Sequence, residues 1–277
     1  MSTSNKKEKD KIVVIIILAA ILVCSIGFFI YHKWSVRQKE LEFEKMREQE
    51  TIATEQPATE AVAEEETETE EVDDTVYCDP VYDFDELHAQ NEDIYAWIEI
   101  PGTKVDYPVL QSETDNYYLN RNVDNSTGYP GCIYTNACNQ KDFSDYITVL
   151  YGHNMKNKTM FGSLHSFEDE DFFNENDKIY VYTEDRRLTY EIKEAVKYTN
   201  AYIQVEYALD TLEDRDLFLE DLSQYLDSSV AHEREDVTID DDSKLIVLST
   251  CVAGQSDHRY LIVGVLEEEA FYKQAEE

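Results

Sequence analysis

The sequence predicts a mainly β fold, a barrel or a sandwich, with one or two inserted helices. Many short apolar segments are separated by turn residues, which is the pattern of an all-β domain. Leucines recur at helical spacing over 212–226, but strands and helices do not alternate along the chain, which disfavours a doubly wound fold. The predicted strands are 97–100, 106–111, 131–134, 146–151, 178–183, 188–196, 244–249 and 260–266.

Each predicted helix has its own signal. Phe84, Leu87 and Asn91 fit one face of a helix that precedes the first strand. Residues 160–167 form a second short candidate, and 212–226 the clearest one. The continuous apolar run at 245–248 is typical of a strand buried on both faces, and 260–266 is its expected partner.

Composition limits the classes of function. The chain has 277 residues, of which 42% are hydrophobic, so it can bury a real core. It carries 24 Lys and Arg against 60 Asp and Glu, a formal charge of −36. Such a balance excludes binding of nucleic acid through phosphate neutralisation, so no nucleic-acid partner is expected.

The N-terminus predicts a membrane anchor. Residues 12–31 are twenty positions without a charge, and a helix of that length spans about 30 Å of hydrocarbon. The alternative is a cleaved signal peptide, but its apolar region would be shorter, and 28–34 offers no small-residue cleavage site. Lys and Arg flank both ends of the span in similar number, so these charges alone do not determine the orientation of the helix. The expectation of a cytoplasmic N-terminus rests partly on the function that the motifs indicate.

Charge then divides the rest of the chain. We expect a basic cytoplasmic tail at 1–11, a transmembrane anchor at 12–31, an acidic disordered stalk at 32–77 and a globular domain at 78–277. The run of Glu and Thr at 64–71 repels itself and cannot bury a core, although 41–49 could extend the preceding helix.

Motifs for phosphate loops and metal sites are missing from the sequence. Cys132 and Cys138 lack zinc spacing, and free thiols are favoured over a disulfide between them. The acidic run at 240–243 lacks the spaced ligands of a calcium loop, so a solvated loop is the better interpretation. We therefore expect no metal and no cofactor.

Three residues remain as candidates for nucleophilic chemistry. Cys251 follows the apolar strand, His153 follows another apolar strand and Gly152, and Arg259 begins the next strand. A thiol needs a partner that moves protons, and a fixed cation can bind a developing oxyanion. The ordinary alternatives are a buried cysteine, a hydrogen-bonded loop histidine and a surface ion pair of Arg259 with Asp257.

The other histidines are weaker candidates for the proton-transfer role. His258 is a rival base, but it lies in a loop beside Arg259. The remaining four lack a comparable strand-end position; they are His32, His88, His165 and His232.

These motifs resemble those of the sortases, and specifically of class B. The resemblance is carried by 150–155 around His153, 248–251 ending at Cys251, and 259–263 beginning at Arg259. Residues 97–109 resemble the N-terminal signature of class B, and the helical insert before the cysteine strand is a second feature of that class. The likeness extends over about 82–266, and Val247 departs from the threonine found there in many sortases.

The resemblance implies an eight-stranded sortase-type β-barrel with an N-terminal helical extension. It implies a cysteine transpeptidase of the Gram-positive cell surface. Cys251 would attack a Thr carbonyl in a C-terminal sorting motif, His153 would transfer protons, and Arg259 would hold the oxyanion. Its partners would be sorting-motif-bearing surface proteins and a peptidoglycan amine. The implied substrate groove is lined by Tyr151, Ser249, Thr250 and Leu119.

Rival interpretations stay open at this point. A pilin-polymerising sortase or a thiol hydrolase would use the same residues with another acceptor. A membrane-tethered binding domain would use none of them chemically. The resemblance implies a single-pass membrane protein whose globular domain lies outside the cell.

Overall fold

A computed structural model of the protein describes the backbone of residues 3–50 and 75–273, and the side chains of 13–47 and 75–273. The chain divides into two units near residue 46, and each is described by itself. The run of Glu and Thr at 64–71 lies outside the described residues.

The first unit is helical. Helix α1 covers Thr3–Glu50, and from Val13 onward it is long and apolar enough to span a membrane, with a mean hydropathy of 3.2 in its most apolar window. The helix does not end at residue 31, so the described beginning of the predicted stalk is helical. This continuation is explained by residues that favour helix and by ion pairs one turn apart. In one such pair, Lys39 Nζ lies 3.3 Å from Glu42 Oε2.

In the second unit, the described residues form ten strands of one sheet. The strands are β1 (Val76–Cys78), β2 (Ile94–Glu99), β3 (Asp106–Gln111), β4 (Ile133–Thr135), β5 (Ile147–Tyr151), β6 (Lys178–Tyr182), β7 (Arg186–Thr199), β8 (His232–Glu233), β9 (Leu245–Val252) and β10 (Gln255–Tyr272). All eight predicted strands are present, and the two short ones, β1 and β8, are additional.

Eight of these strands close into a barrel. Neighbours run in the order β10, β9, β5, β4, β3, β2, β6 and β7, and β7 pairs again with β10. This closure confirms the eight-stranded barrel. Strand β1 adds to the end of β10 in parallel, and β8 adds to β7, so the two short strands lie outside the ring.

Four short helices accompany the barrel in the described residues: α2 (Phe84–Gln90), α3 (Glu170–Glu175), α4 (Ile203–Glu206) and α5 (Leu212–Ser223). Two 3₁₀ helices cover Tyr117–Asn120 and Phe161–Glu168. The predicted helix at 160–167 is therefore a 3₁₀ helix, and the one at 212–226 ends three residues earlier.

Helix α5 covers the outer face of β5, β9 and β10. Its Phe218 and Leu222 are fully buried in one cluster with Val247 and Leu261. Arg215 is buried on the same helix and donates to the carbonyls of Asp240 and Ser243, at 2.6 and 2.7 Å. The predicted solvated loop is thus tied to the helix, which fixes the start of β9.

Candidate active site

Three neighbouring strands bring the candidate residues to one edge of the barrel. Strands β5 and β9 are parallel, with Tyr151 opposite Ser249. His153 and Cys251 each lie two residues beyond that pair. Strands β9 and β10 form a hairpin in which Cys251 is opposite Arg259. The sequence alone leaves open whether the strand ends at His153 and Cys251 are neighbours, and the register places them side by side.

A cleft of about 160 Å³ opens at this edge. All seven residues predicted for the site line it: Leu119, Tyr151, His153, Ser249, Thr250, Cys251 and Arg259. Asn116, Tyr134 and Tyr202 complete much of its wall. The sequence therefore identifies the lining, and the structure determines what each side chain does there.

Thr250 faces the barrel interior. Side chains alternate along a strand, so Ser249 and Cys251 share one face and Thr250 takes the other. Thr250 is only 2% exposed, and its hydroxyl donates to the carbonyl of Gly152 at 2.8 Å. Its side chain therefore joins the cysteine strand to the turn before His153, and Thr250 is also among the residues that line the cleft.

Gly152 is required by packing. Its φ is not in the left-handed region, so the tight turn expected from the sequence is not the reason for a glycine. A Cβ there would lie 2.5 Å from Ile133 Cδ1 and 2.7 Å from the ring of Phe161. The backbone before His153 thus packs directly against the core.

His153 has a defined tautomer. Its Nε2 lies 2.7 Å from the carbonyl of Leu119, and a carbonyl can only accept, so Nε2 carries a proton. The lone pair of the neutral ring is then on Nδ1. Burial lowers the pKa of His153, partly opposed by the Leu119 hydrogen bond, so the neutral ring predominates at pH 7.

Cys251 presents an exposed thiol on a firmly held backbone. The amide of Asn154 donates to the Cys251 carbonyl at 2.7 Å and lies 2.9 Å from His165 Nε2. His165 Nδ1 is 2.6 Å from Glu168. His165 Nε2 also lies 3.0 Å from the Cys251 carbonyl, so Asn154, His165 and Glu168 form a connected group of polar side chains next to that carbonyl.

This group of polar side chains contains two residues that the sequence analysis did not select, Asn154 and His165. His165 is judged from the sequence to lack a rigid framework, but it is also stacked on Tyr260 at 5.1 Å. Asn154 directly follows His153, so these polar side chains link the turn at His153 to the backbone of Cys251. The only sequence signal was the position of Asn154 inside the histidine motif.

Arg259 is held by its own loop. Its Nη1 donates to the carbonyls of His258 and Ser256, at 2.9 and 3.3 Å. Asp257, the ion-pair partner in the ordinary alternative, pairs with His258 instead. Arg259 lines the cleft, whereas His258 pairs with Asp257 and is not among the residues that line it.

Aromatic and polar groups shape the rest of the cleft. The hydroxyl of Tyr151 donates to Gln204, and its ring stacks on Tyr134 at 5.5 Å. Burial raises the pKa of both phenols, so they stay neutral hydrogen-bonding groups. Ser249 is buried, and Leu119 both lines the cleft and supplies the carbonyl that orients His153.

Within the described part of the chain, no three His, Cys, Asp or Glu side chains are grouped to hold a metal ion. Cys132 is buried and its thiol donates to the Arg121 carbonyl, whereas Cys138 is exposed. Both are free thiols.

Comparison with known proteins gives a consistent result. The model of the sortase domain family matches residues 98–267. Sortase B of Listeria monocytogenes is 32% identical over 171 residues, which are 60% of this chain and 65% of that protein. The match thus falls just short of two thirds of that relative's length.

Solved structures agree with this comparison. Sortase B of Clostridium perfringens superposes with a TM-score of 0.60 and 27% identity, covering 67% of this chain and all of that one. A class B sortase of Streptococcus pyogenes, described as involved in pilus biogenesis, has a TM-score of 0.58 and 29% identity. That match covers 66% of this chain and 97% of the other.

Proposed function

The chain belongs to the sortase family of cysteine transpeptidases, and we propose that Cys251, His153 and Arg259 are its catalytic residues. The observation that carries this proposal is the register of β5, β9 and β10. This register supports a single cleft that Cys251, His153 and Arg259 all line. The relatives described above are class B sortases, and this chain resembles the solved ones with TM-scores of 0.60 and 0.58.

The first half-reaction forms a thioacyl enzyme. Cys251 Sγ attacks the carbonyl of a Thr in a C-terminal sorting motif, and its proton passes to Nδ1 of neutral His153. Arg259 donates to the oxyanion of the tetrahedral intermediate, where a fixed cation stabilises developing charge. Collapse breaks the C–N bond, and His153 returns the proton to the leaving amine.

The second half-reaction transfers the acyl group. An amine of peptidoglycan or its precursor attacks the thioester carbonyl, a C–N bond forms and the C–S bond breaks. His153 takes the proton of the incoming amine and returns it to the sulfur. The surface protein is then joined to the cell wall, and Cys251 is regenerated.

The proposed location follows from the same reaction. We propose that 12–31 spans the membrane, that 1–11 is cytoplasmic, and that the catalytic domain at 78–277 lies outside the cell beyond a tether at 32–77. The apolar character of α1 supports the span. Protease added to intact protoplasts should release a fragment near 78–277, and full protection until lysis would reverse this orientation.

The acceptor distinguishes this function from its main rival. The second candidate function is a pilin-polymerising sortase, in which the acceptor amine is a Lys of another surface protein. The likeness to a sortase described as involved in pilus biogenesis favours this candidate. Mass spectrometry of the products with and without an added amine tests the proposal. Transfer to a peptidoglycan amine supports it, transfer only to a protein Lys supports the rival, and water as sole acceptor at saturating amine would refute transpeptidation.

A further inference from the structure

One side of the His153 imidazole is covered by an aromatic ring from a separate loop. The centroid of the Tyr129 ring lies 4.8 Å from that of the imidazole, with 45° between the two ring planes. Tyr129 is itself 47% exposed, and it is not among the residues that line the cleft. Neither core packing nor the cleft therefore accounts for an aromatic side chain at this position.

The loop that carries Tyr129 is held on both sides of this residue. Before it, the backbone N–H of Gly128 donates to the Asn120 carbonyl at 2.9 Å. After it, the backbone N–H of Cys132 donates to the Tyr118 carbonyl at 3.1 Å. The aromatic ring is thus presented to the imidazole by a loop whose two ends are fixed by hydrogen bonds.

The same loop packs against the carbonyl that orients His153. A Cβ on Gly131 would lie 2.6 Å from the Leu119 carbonyl oxygen, and Gly131 has a φ of 71°, which a residue with a side chain rarely adopts. This carbonyl accepts the hydrogen bond from His153 Nε2 at 2.7 Å. The loop therefore contacts the hydrogen-bond acceptor of the imidazole and, through Tyr129, the imidazole itself.

A hydrogen bond at Nε2 alone does not fix the imidazole. The terminal torsion of a histidine side chain has a broad energy minimum, so the ring can rock while Nε2 stays near its acceptor, and this motion displaces Nδ1. A second ring in contact with the imidazole restricts the motion. It also keeps water from that side of His153, whose pKa is lowered by burial.

We propose that Tyr129 is a positioning residue for the proton transfers of His153, and that its aromatic ring, not its hydroxyl, has this role. The proposal rests on the proposed function, in which His153 moves the protons. Tyr129 acts through the imidazole and does not line the cleft. Its loss should therefore slow the chemical steps and leave binding of the donor peptide unchanged.

The test uses the full chain in non-ionic detergent, with a pool of peptides that carry Thr before the scissile bond and randomised flanking residues. Tyr129→Ala removes the ring, whereas Tyr129→Phe keeps the ring and removes only the hydroxyl. Tyr77→Ala is the matched control, because Tyr77 is 54% exposed and pairs with Phe271, near the end of β10 that is distant from Arg259. Mass spectrometry follows thioacyl formation, and the melting temperature of each variant is recorded.

We expect Tyr129→Ala to lower the maximal rate of thioacyl formation roughly 10- to 100-fold, because a small misplacement of a catalytic group has an effect of this size. The apparent KM for the donor peptides should change less than about twofold. Tyr129→Phe and Tyr77→Ala should keep both constants within about twofold of wild type.

The pH–rate profile gives a second expectation. Tyr129→Ala admits water to His153, so the pKa of the imidazole should rise toward its ordinary value, and the acid limb should move to higher pH by roughly 0.3–1 unit. Every other titratable group of the cleft is retained in this variant; these groups are Tyr134, Tyr151, Tyr202, Cys251 and Arg259.

Nuclear magnetic resonance reads the imidazole directly. In protein labelled with ¹³C-histidine, the His153 signal is the one that is missing from His153→Gln. Tyr129→Ala should move this signal, because the ring current of the tyrosine is lost, and should raise the pKa at which it titrates. Tyr129→Phe and Tyr77→Ala should leave the signal and its pKa unchanged.

A wild-type rate and pH profile in Tyr129→Ala would overturn the proposal. So would an equal loss of rate in Tyr129→Phe, or a raised KM with an unchanged maximal rate. Should Tyr129→Ala fail to fold, Tyr129→Leu takes its place with the same expectations. Absence of any thioacyl enzyme in wild type would instead count against the proposed function, and an unmoved His153 signal in Tyr129→Ala would then still overturn the role of Tyr129.

Discussion

Thr250 provides the most direct test of how the barrel supports the site. Its buried hydroxyl donates to the Gly152 carbonyl at 2.8 Å, which ties the end of the cysteine strand to the residue before His153. Thr250→Val removes the hydroxyl and preserves the shape, so it creates no cavity. The Gly152 backbone packs closely against Ile133 and Phe161, which leaves little room for a water to replace the lost donor.

The expected loss can be worked out from this environment. A buried carbonyl left without its donor costs about 1–3 kcal/mol. For a domain of this size each kcal/mol lowers the melting temperature by about 2–4 °C, so Thr250→Val should melt about 2–12 °C below wild type. Freeing the turn before His153 should also slow thioacyl formation, because a small displacement of a catalytic group reduces the rate strongly.

Circular dichroism melting and the rate of thioacyl formation measure the two effects. Thr250→Ser is the matched control, since it retains the donor and loses only a methyl group, and it should keep most of the rate. A Thr250→Val protein with wild-type melting temperature and rate would refute the view that this hydrogen bond positions the site.

Three further outcomes are expected. Arg259→Lys should lower kcat roughly 10²–10³-fold without changing the melting temperature, because lysine lacks the planar fork of the guanidinium group. The control His258→Ala should keep kcat within a few-fold of wild type. Near-normal kcat in Arg259→Lys would remove Arg259 from the proposed catalytic residues. Gly152→Ala should lower stability by about 1–3 kcal/mol through overpacking, and an unchanged denaturation midpoint would contradict this. Burial, aided by the like charge of Glu233, raises the pKa of Glu194 from 4.5 to about 7. The native state therefore holds a proton that the unfolded chain loses, and stability should fall by up to about 3 kcal/mol as pH rises from 4.5 to 7. Glu194→Gln should abolish that slope in urea titrations, and an unchanged slope would show that Glu194 is not its source.

The strands could be predicted from sequence because a run such as 245–248 is apolar enough to identify itself. Strands β1 and β8 have three and two residues, too few to show a period. They exist only because the edges of β10 and β7 are available to pair with them. The possible extension of the anchor helix over 41–49 corresponds to the end of α1 at Glu50, although the acidic composition of 32–77 led to a prediction of a disordered stalk.

The catalytic candidates could be predicted because each follows or begins a recognisable strand. Their surroundings could not, since they depend on contacts distant in sequence. His165 is 86 residues from the Cys251 carbonyl that it approaches. The inward direction of Thr250 follows from strand alternation once the face of Cys251 is known, but the sequence does not state which face opens to the cleft.

Formation of a thioacyl bond at Cys251 is the measurement that tests the central claim most directly. The full chain is incubated with a pool of peptides that carry Thr before the scissile bond and randomised flanking residues. Intact-protein and peptide mass spectrometry then locate any adduct. We expect an acyl adduct that ends in Thr, maps to Cys251, disappears when an amine acceptor is added, and is absent from Cys251→Ala. No adduct at Cys251, or an adduct at exposed Cys138 that persists in Cys251→Ala, would contradict the account.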